Sequence, residues 1–549
     1  MTTDHERAHA AVVRGALDEA VLALARLAET SDPHAHAWSL AARAAGSLLD
    51  PGVFLAPSRD EIAAYRDAPA PLRSVAALAC AHLERRAVLG FERDELEHLL
   101  ALHAELTRDA AHTSEAHLWL VLGQGWWSWM CGDPGDADAS LAAIERVARD
   151  AGSGALVIDT GTLRALRAET RGDVPAMLAH ARRASRMART EALPAHEHLA
   201  HLVLARARRA ARQPHLALRI LGALERLVAD PCRAWVRWER LLAGDPEALE
   251  GVRPGPDATR AEQGAAALSA VLRAATAGDT GALDRAARAL TGAVGGLHFA
   301  SREARHVLAA LDARIDPSGE EPELAAWCSG REVEAPASIH GLCMRIDAEA
   351  HDASEAIVLA EPGRAPRRVL GAASALVARE PRTHLRKTLR RRGRVETLVA
   401  VLACAGPEGL SDAECILRTY EMAYEPNAHR GVFEVLVTRA RLYAESAGEI
   451  VRGQGVIALR LRVAISVPDP RCAAPLHDRV LRVLAHDGRV TAGEAAKRVG
   501  LSVRAVQQAL RSLAEDGVCV GEKEGRQIVY AVEDTTFSEP TEMLAVRRG

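Results

Sequence analysis

The residues best suited to specific chemistry lie close to the C-terminus. Arg504, Gln507, Gln508 and Arg511 fall on one exposed face at helical spacing, beside the apolar row Val506, Leu510 and Leu513. Glutamine amides pair bidentately with adenine and guanidinium groups with guanine, so such a face can read base edges in a major groove. Lys523 and Arg526 sit in the charged run between two strand-like segments, where they would meet phosphates. A second set lies upstream: Arg430, Arg439 and Arg441 in a helical stretch, and Arg452 just before Gly453-Gln454-Gly455.

Two compact units are predicted to hold these side chains. In the first, helices run from Val395 to Cys404, from a Ser411 cap to about Met422, and from about His429 to Ser446. Ile450-Val451-Arg452 and the apolar segment Val456 to Leu461 then close a hairpin. In the second, after Pro468-Asp469-Pro470, helices run from Leu476 to Ala485, from a Thr491 cap to Val499, and from a Ser502 cap to about Glu515. Val518 to Val520 and Ile528 to Tyr530 form the hairpin strands. Three helices closed by a β-hairpin make a winged helix, whose third helix fits the major groove while the hairpin lies along the backbone.

The first unit, about residues 354–466, resembles the output domain of OmpR/PhoB-type regulators. The likeness rests on Pro407-Glu408-Gly409-Leu410-Ser411, Phe433-Glu434-Val435 with Val437, and the hairpin Ile450-Val451-Arg452-Gly453-Gln454-Gly455. It implies that Arg439 and Arg441 face bases and phosphates and that Arg452 reaches the minor groove. The chain departs from that pattern at Leu436, in a position usually polar and groove-facing, at Ala440 and at Val456, which implies altered readout. The second unit, about 473–534, resembles MarR- and ArsR-like bacterial repressors, which implies that Ser502-Val503-Arg504 opens a recognition helix. A winged helix can also serve as a docking or dimerisation module.

Upstream, residues 1–315 are rich in Ala, Leu, Arg and Glu at helical spacing. A turn-then-helix phrase recurs at Gly135-Asp136, Gly172-Asp173, Gln213-Pro214, Gly244-Asp245 and Gly278-Asp279, at steps of 37, 41, 31 and 34 residues. Gly would end one helix and Asp cap the next. The period resembles that of tetratricopeptide repeats, which implies an α-solenoid whose concave face binds a protein, a peptide or an effector, or a solenoid used only for dimerisation. Residues 316–353, richer in Pro, Gly and Glu, are expected to be a linker or a domain boundary. Ala356 to Leu359, Arg368 to Leu370 and Ser374 to Val377 are expected as strands, and 535–549 as a flexible tail. The expected fold is thus mostly α, a solenoid followed by two winged helices.

The net charge of −4 over 549 residues hides an asymmetry, since 353–466 holds 18 Lys/Arg against 12 Asp/Glu. The tract Arg379, Arg382, Arg386, Lys387, Arg390, Arg391, Arg392 and Arg394 is either a solvated face or a source of phosphate contacts. Nine scattered cysteines without a C-x-x-C pair, and no secretory leader or long apolar run, favour reduced thiols in a cytoplasmic protein with no membrane contact. His196-Glu197-His198-Leu199-Ala200-His201 lacks the second His of H-E-x-x-H and is expected on a solvated face. Trp126, Trp127 and Trp129 are expected to pack between helices, with an aromatic ligand pocket as the alternative. With no P-loop, receiver pattern, metal set or nucleophile and base constellation, no enzyme and no cofactor are expected. The reading is a bacterial regulator of transcription with double-stranded DNA as partner, a signal on the repeats and possible homodimers. The alternative is an adaptor whose winged helices make protein contacts.

Overall fold

The structure is a computed structural model that describes residues 6–133, 137–228, 230–250, 254–319, 321–343, 356–385, 394–453, 455–525 and 527–532. Gly135-Asp136, residues 386–392, Gln454, Arg526 and the expected tail lie outside the described residues. The molecule is mostly helical, with three small sheets among the described residues.

From Arg7–Val13 to His298–Leu311, each long helix packs on its sequence neighbour. The local chemistry of the repeated turn explains much of this. Gly172 and Gly278 take left-handed φ of 73° and 69°, while Asp173 and Asp279 accept from the Ala176 and Ala282 N–H groups at 3.0 and 2.9 Å. Gly244 is also left-handed, but Asp245 leads only into the short turn Glu247–Leu249.

An aromatic cluster fills the core of this array. Phe91, Trp129, Trp235, Trp238 and Phe299 come from four distant segments and meet with ring centroids 4.5–6.3 Å apart. Trp126 is buried beside them and Trp127 is half-buried, so these tryptophans pack between helices. Next to the rings lies a buried ion network. Glu239 accepts from Arg206 at 2.6 Å and Arg209 at 2.8 Å, and Glu303 binds both arginines and accepts from the Trp238 indole at 2.9 Å. Burial alone would raise the Glu303 carboxyl pKa, yet the two guanidinium groups bring it down to about 2.

Three expectations are corrected here. His196, Glu197, His198 and His201 are buried, not solvated, because the helix Pro194–Ala210 is covered on every side. His196 Nδ1 instead donates to the Asp159 carboxylate at 2.8 Å. Residues 316–343 are not a loose linker but carry the helices Pro322–Cys328 and Ala337–Cys343, whose Trp327 and Ile339 enter the main core. Ser374–Val377 is a short helix, and the missing sheet partner is Ile465–Pro468, which pairs antiparallel with Ala356–Ala360. The four-stranded sheet runs Arg367–Leu370, Ala356–Ala360, Ile465–Pro468, Thr383–His384.

Removing one charge from the buried network leaves two guanidinium groups short of acceptors. Glu303→Gln should therefore cost about 3–5 kcal/mol in urea unfolding at neutral pH. The folded pKa is depressed, so the stabilisation is complete above the unfolded value of about 4.3 and is lost as pH falls toward about 2. The gap between wild type and variant should close over that interval.

Candidate nucleic-acid interface

The C-terminal unit is built from Leu476–Asp487, Ala492–Val499 and Val503–Glu515, with a sheet ordered Arg489–Thr491, Gln527–Ala531, Val520–Glu524. Thr491 and Glu494 form a reciprocal capping box, and Ser502 accepts from Ala505 N–H at 3.3 Å. Val506, Ala509, Leu510 and Leu513 turn the third helix into a core shared with Val480, Leu484, Val499 and Tyr530. The opposite face therefore stays in solvent.

Ser502, Arg504, Gln508 and Arg511 are exposed on that face, while Gln507 is half-buried at its margin. Among the described residues, the Arg504 and Arg511 guanidinium groups meet no side-chain partner, which leaves their donors available for base edges or phosphates. Val503 and Leu501 are exposed too and offer apolar surface to a thymine methyl. On the hairpin Lys523 is exposed, but Glu522 and Glu524 flank it, and Arg489 pairs with Glu522 at 2.8 Å. Arg526 lies outside the described residues. Sequence reasoning passed over Lys497, an exposed cation in the last turn of Ala492–Val499. Its signal was a basic residue one turn before the break at Gly500.

The upstream unit has the same topology. Its helices are Arg394–Ala405, Asp412–Tyr420 and Pro426–Ala444, and its sheet is ordered Leu410–Ser411, Val456–Leu461, Gly448–Gly453. In both units the last hairpin strand lies in the middle. The short strand before the second helix follows a left-handed glycine, Gly409 with φ 71° or Gly488 with φ 77°. A side chain would be strained at either φ, and at Gly409 a Cβ would also lie 2.4 Å from the Ile457 carbonyl oxygen. Ser411 and Glu414 repeat the capping box.

The surfaces of the two units differ. Arg430 and Arg439 are exposed. Arg441 instead donates to the Ile450 carbonyl at 3.0 Å, and Arg452 is tied to Asp412 at 2.9 Å and to Glu434. Arg452 is thus an internal brace of the hairpin in this structure, not a free probe. Leu436, expected to face the groove, is buried in the core, and Ala440 is buried beside it. Val432, Val435 and Leu442 are large apolar residues that this helix exposes. Within the basic tract, Arg382 pairs with Glu361 at 2.8 Å and Arg394 lies over the Tyr420 ring at 4.9 Å.

The family described as "Winged helix-turn-helix DNA-binding" matches residues 477–518, which span all three helices of the C-terminal unit. No curated protein and no solved structure matches the chain. A winged helix-turn-helix DNA-binding domain is therefore present at 477–518, and it points to double-stranded DNA as a partner. Among the described residues, no helix is long and apolar enough to cross a membrane.

Two substitutions separate the roles on this face. Arg504→Ala should cost about 1–3 kcal/mol on a selected duplex and relax discrimination at one base position. Lys523→Ala should weaken all duplexes alike and lower the log-log salt slope by about 1, as read by fluorescence anisotropy.

Proposed function

We propose that this chain is a DNA-binding regulator of transcription, in which the helical array senses a signal and two C-terminal winged helices hold promoter DNA. The observation that carries the reading is the coincidence of the matched segment 477–518 with an exposed helix bearing unpaired Arg504 and Arg511. The shared topology of the upstream unit supports a tandem pair, with that unit as an OmpR/PhoB-like winged helix. The recurring Gly-Asp turns support a tetratricopeptide-like origin for the array, although its filled interior moves any recognition to its outer surface.

One cleft on the array supports a site for such a signal. A cleft of about 500 Å³ lies between residues 51–59, the helix Ala70–Leu89 and the start of Arg260–Ala277. Pro57, Leu83, Ala87 and Leu99 give it an apolar wall, and Arg86, Glu92, Asp257 and Glu262 give it charge. That volume is in the range that takes small molecules or a peptide side chain. We assign no reaction to the protein, and no cofactor enters this reading.

An adaptor is the second reading, and one observation favours it. The upstream third helix exposes Val432, Val435 and Leu442 where a DNA reader would place polar groups, and Arg452 is already neutralised by carboxylates. In that case the upstream unit docks a protein.

The test is selection of duplexes from a random pool by the full chain, followed by titration of the winners over a salt series. A regulator should enrich a motif and bind it about a thousandfold or more tighter than random duplex, with a steep salt slope. Equal affinity for every duplex, or no salt dependence, would overturn the reading in favour of the adaptor.

A further inference from the structure

Building on the regulator reading, we propose that Arg482 is the positioning residue that fixes the DNA-reading unit on the helical array, so that the array and the recognition helix turn as one body. Arg482 lies in the first helix of that unit, Leu476–Asp487, and is only 2% exposed. It reaches out of its own unit. Its Nη2 donates to the carbonyl oxygens of Ala243, at 2.6 Å, and Gly244, and its Nη1 donates to that of Gly341 at 3.2 Å.

These acceptors are not casual loop carbonyls. Ala243 and Gly244 directly follow the helix Asp230–Leu242, and Gly341 lies in Ala337–Cys343. Carbonyls at a helix C-terminus have no intrahelical partner and carry the negative end of the macrodipole, so a cation is the natural cap. The two segments touch through bare backbone. A Cβ on Gly341 would lie 2.4 Å from the Leu242 oxygen, and one on Gly244 would lie 2.2 Å from the Gly341 oxygen. Arg482 is thus inserted where two elements of the array meet without side chains between them.

Further contacts define the same face. Pro214–Glu225 lies along Leu476–Asp487, and Leu216 packs against the unit's core. Arg219 donates to the Val532 carbonyl, and His486 Nε2 lies 3.1 Å from Glu247 Oε1. Arg504, Gln508 and Arg511 remain exposed, so this docking leaves the reading face open.

The array side of the joint leads inward. Asp230–Leu242 carries Trp235 and Trp238, which pack edge-on against Phe91. Phe91 sits between Arg86 and Glu92 of the surface cleft. The ring packing thus runs from the segment beside the cleft to the helix whose C-terminal end holds Arg482.

The test uses the full chain with Arg482→Met, Arg482→Lys and Gly341→Ala, the last of which alters no residue of the DNA-binding unit. In hydrogen exchange, R482M and G341A should speed the amides of 214–225 and 476–487 at least about tenfold, with 503–515 unchanged. Affinity for the selected duplex should fall about tenfold in both variants with the salt slope unchanged, since no phosphate contact is removed. R482K should recover part of both losses. The proposal is overturned if R482M exchanges like wild type, or if it loosens the two helices without changing affinity. Should R482M fail to fold, G341A decides by the same two readouts. A wild-type chain that selects no duplex overturns the regulator reading instead, and exchange at the two helices then decides whether the joint exists.

Discussion

A guanidinium group taken out of water must find its hydrogen-bond acceptors within the protein, and this chain is organised around places where that happens. Arg206 and Arg209 draw on Glu239 and Glu303. Arg368 draws on Asp469 at 2.8 Å and on the carbonyls of Trp327 and Glu332. Arg482 draws on Ala243, Gly244 and Gly341. Each set of acceptors lies in a segment distant in sequence from the arginine. An unsatisfied buried charge costs several kcal/mol, so none of these segments can drift without penalty. Direction, not net stabilisation, is what these residues supply.

Asp469 makes this concrete. It is fully buried between Arg368 of the four-stranded sheet and Arg471 of the short turn Pro470–Cys472. Burial alone would raise its carboxyl pKa, but the Arg471 and Arg368 charges hold it below the ordinary carboxylate value. The segment between the two C-terminal units, Pro468-Asp469-Pro470, is therefore pinned. Arg482 then fixes the second unit from the other side, which makes the relative placement of the two units a property of the core.

The sequence made local chemistry legible and long-range chemistry much less so. The caps Ser411, Thr491 and Ser502 were readable to the residue, because a side-chain oxygen and the N–H three positions on are all that a cap requires. The strand Ile465–Pro468 was not, since its partner Ala356–Ala360 lies about a hundred residues away and three β-branched or small residues carry no period. Pro and Gly content suggested a linker over 316–353, yet one large side chain, Trp327, is enough to bury its segment. The burial of the His196 helix is hidden from the sequence for a related reason. Periodicity reports one apolar face, whereas a helix enclosed by neighbours buries its polar face too, once partners such as Asp159 and Arg85 exist.

The two C-terminal units share a topology and differ in how their arginines are engaged, a difference that the count of cations does not show. A cation already neutralised by carboxylates releases few counterions when it approaches a phosphate, so it adds little affinity. Arg452 is in that state, held by Asp412 and Glu434. Arg504 and Arg511 are not, and they sit on a helix whose other face is locked into the core by Val506, Leu510 and Leu513. The basic composition of the upstream unit therefore overstates its electrostatic reach. In the nearly neutral C-terminal unit, Glu522, Glu524 and Asp487 are engaged by Arg489 and Arg498, away from the exposed face that carries Arg504 and Arg511.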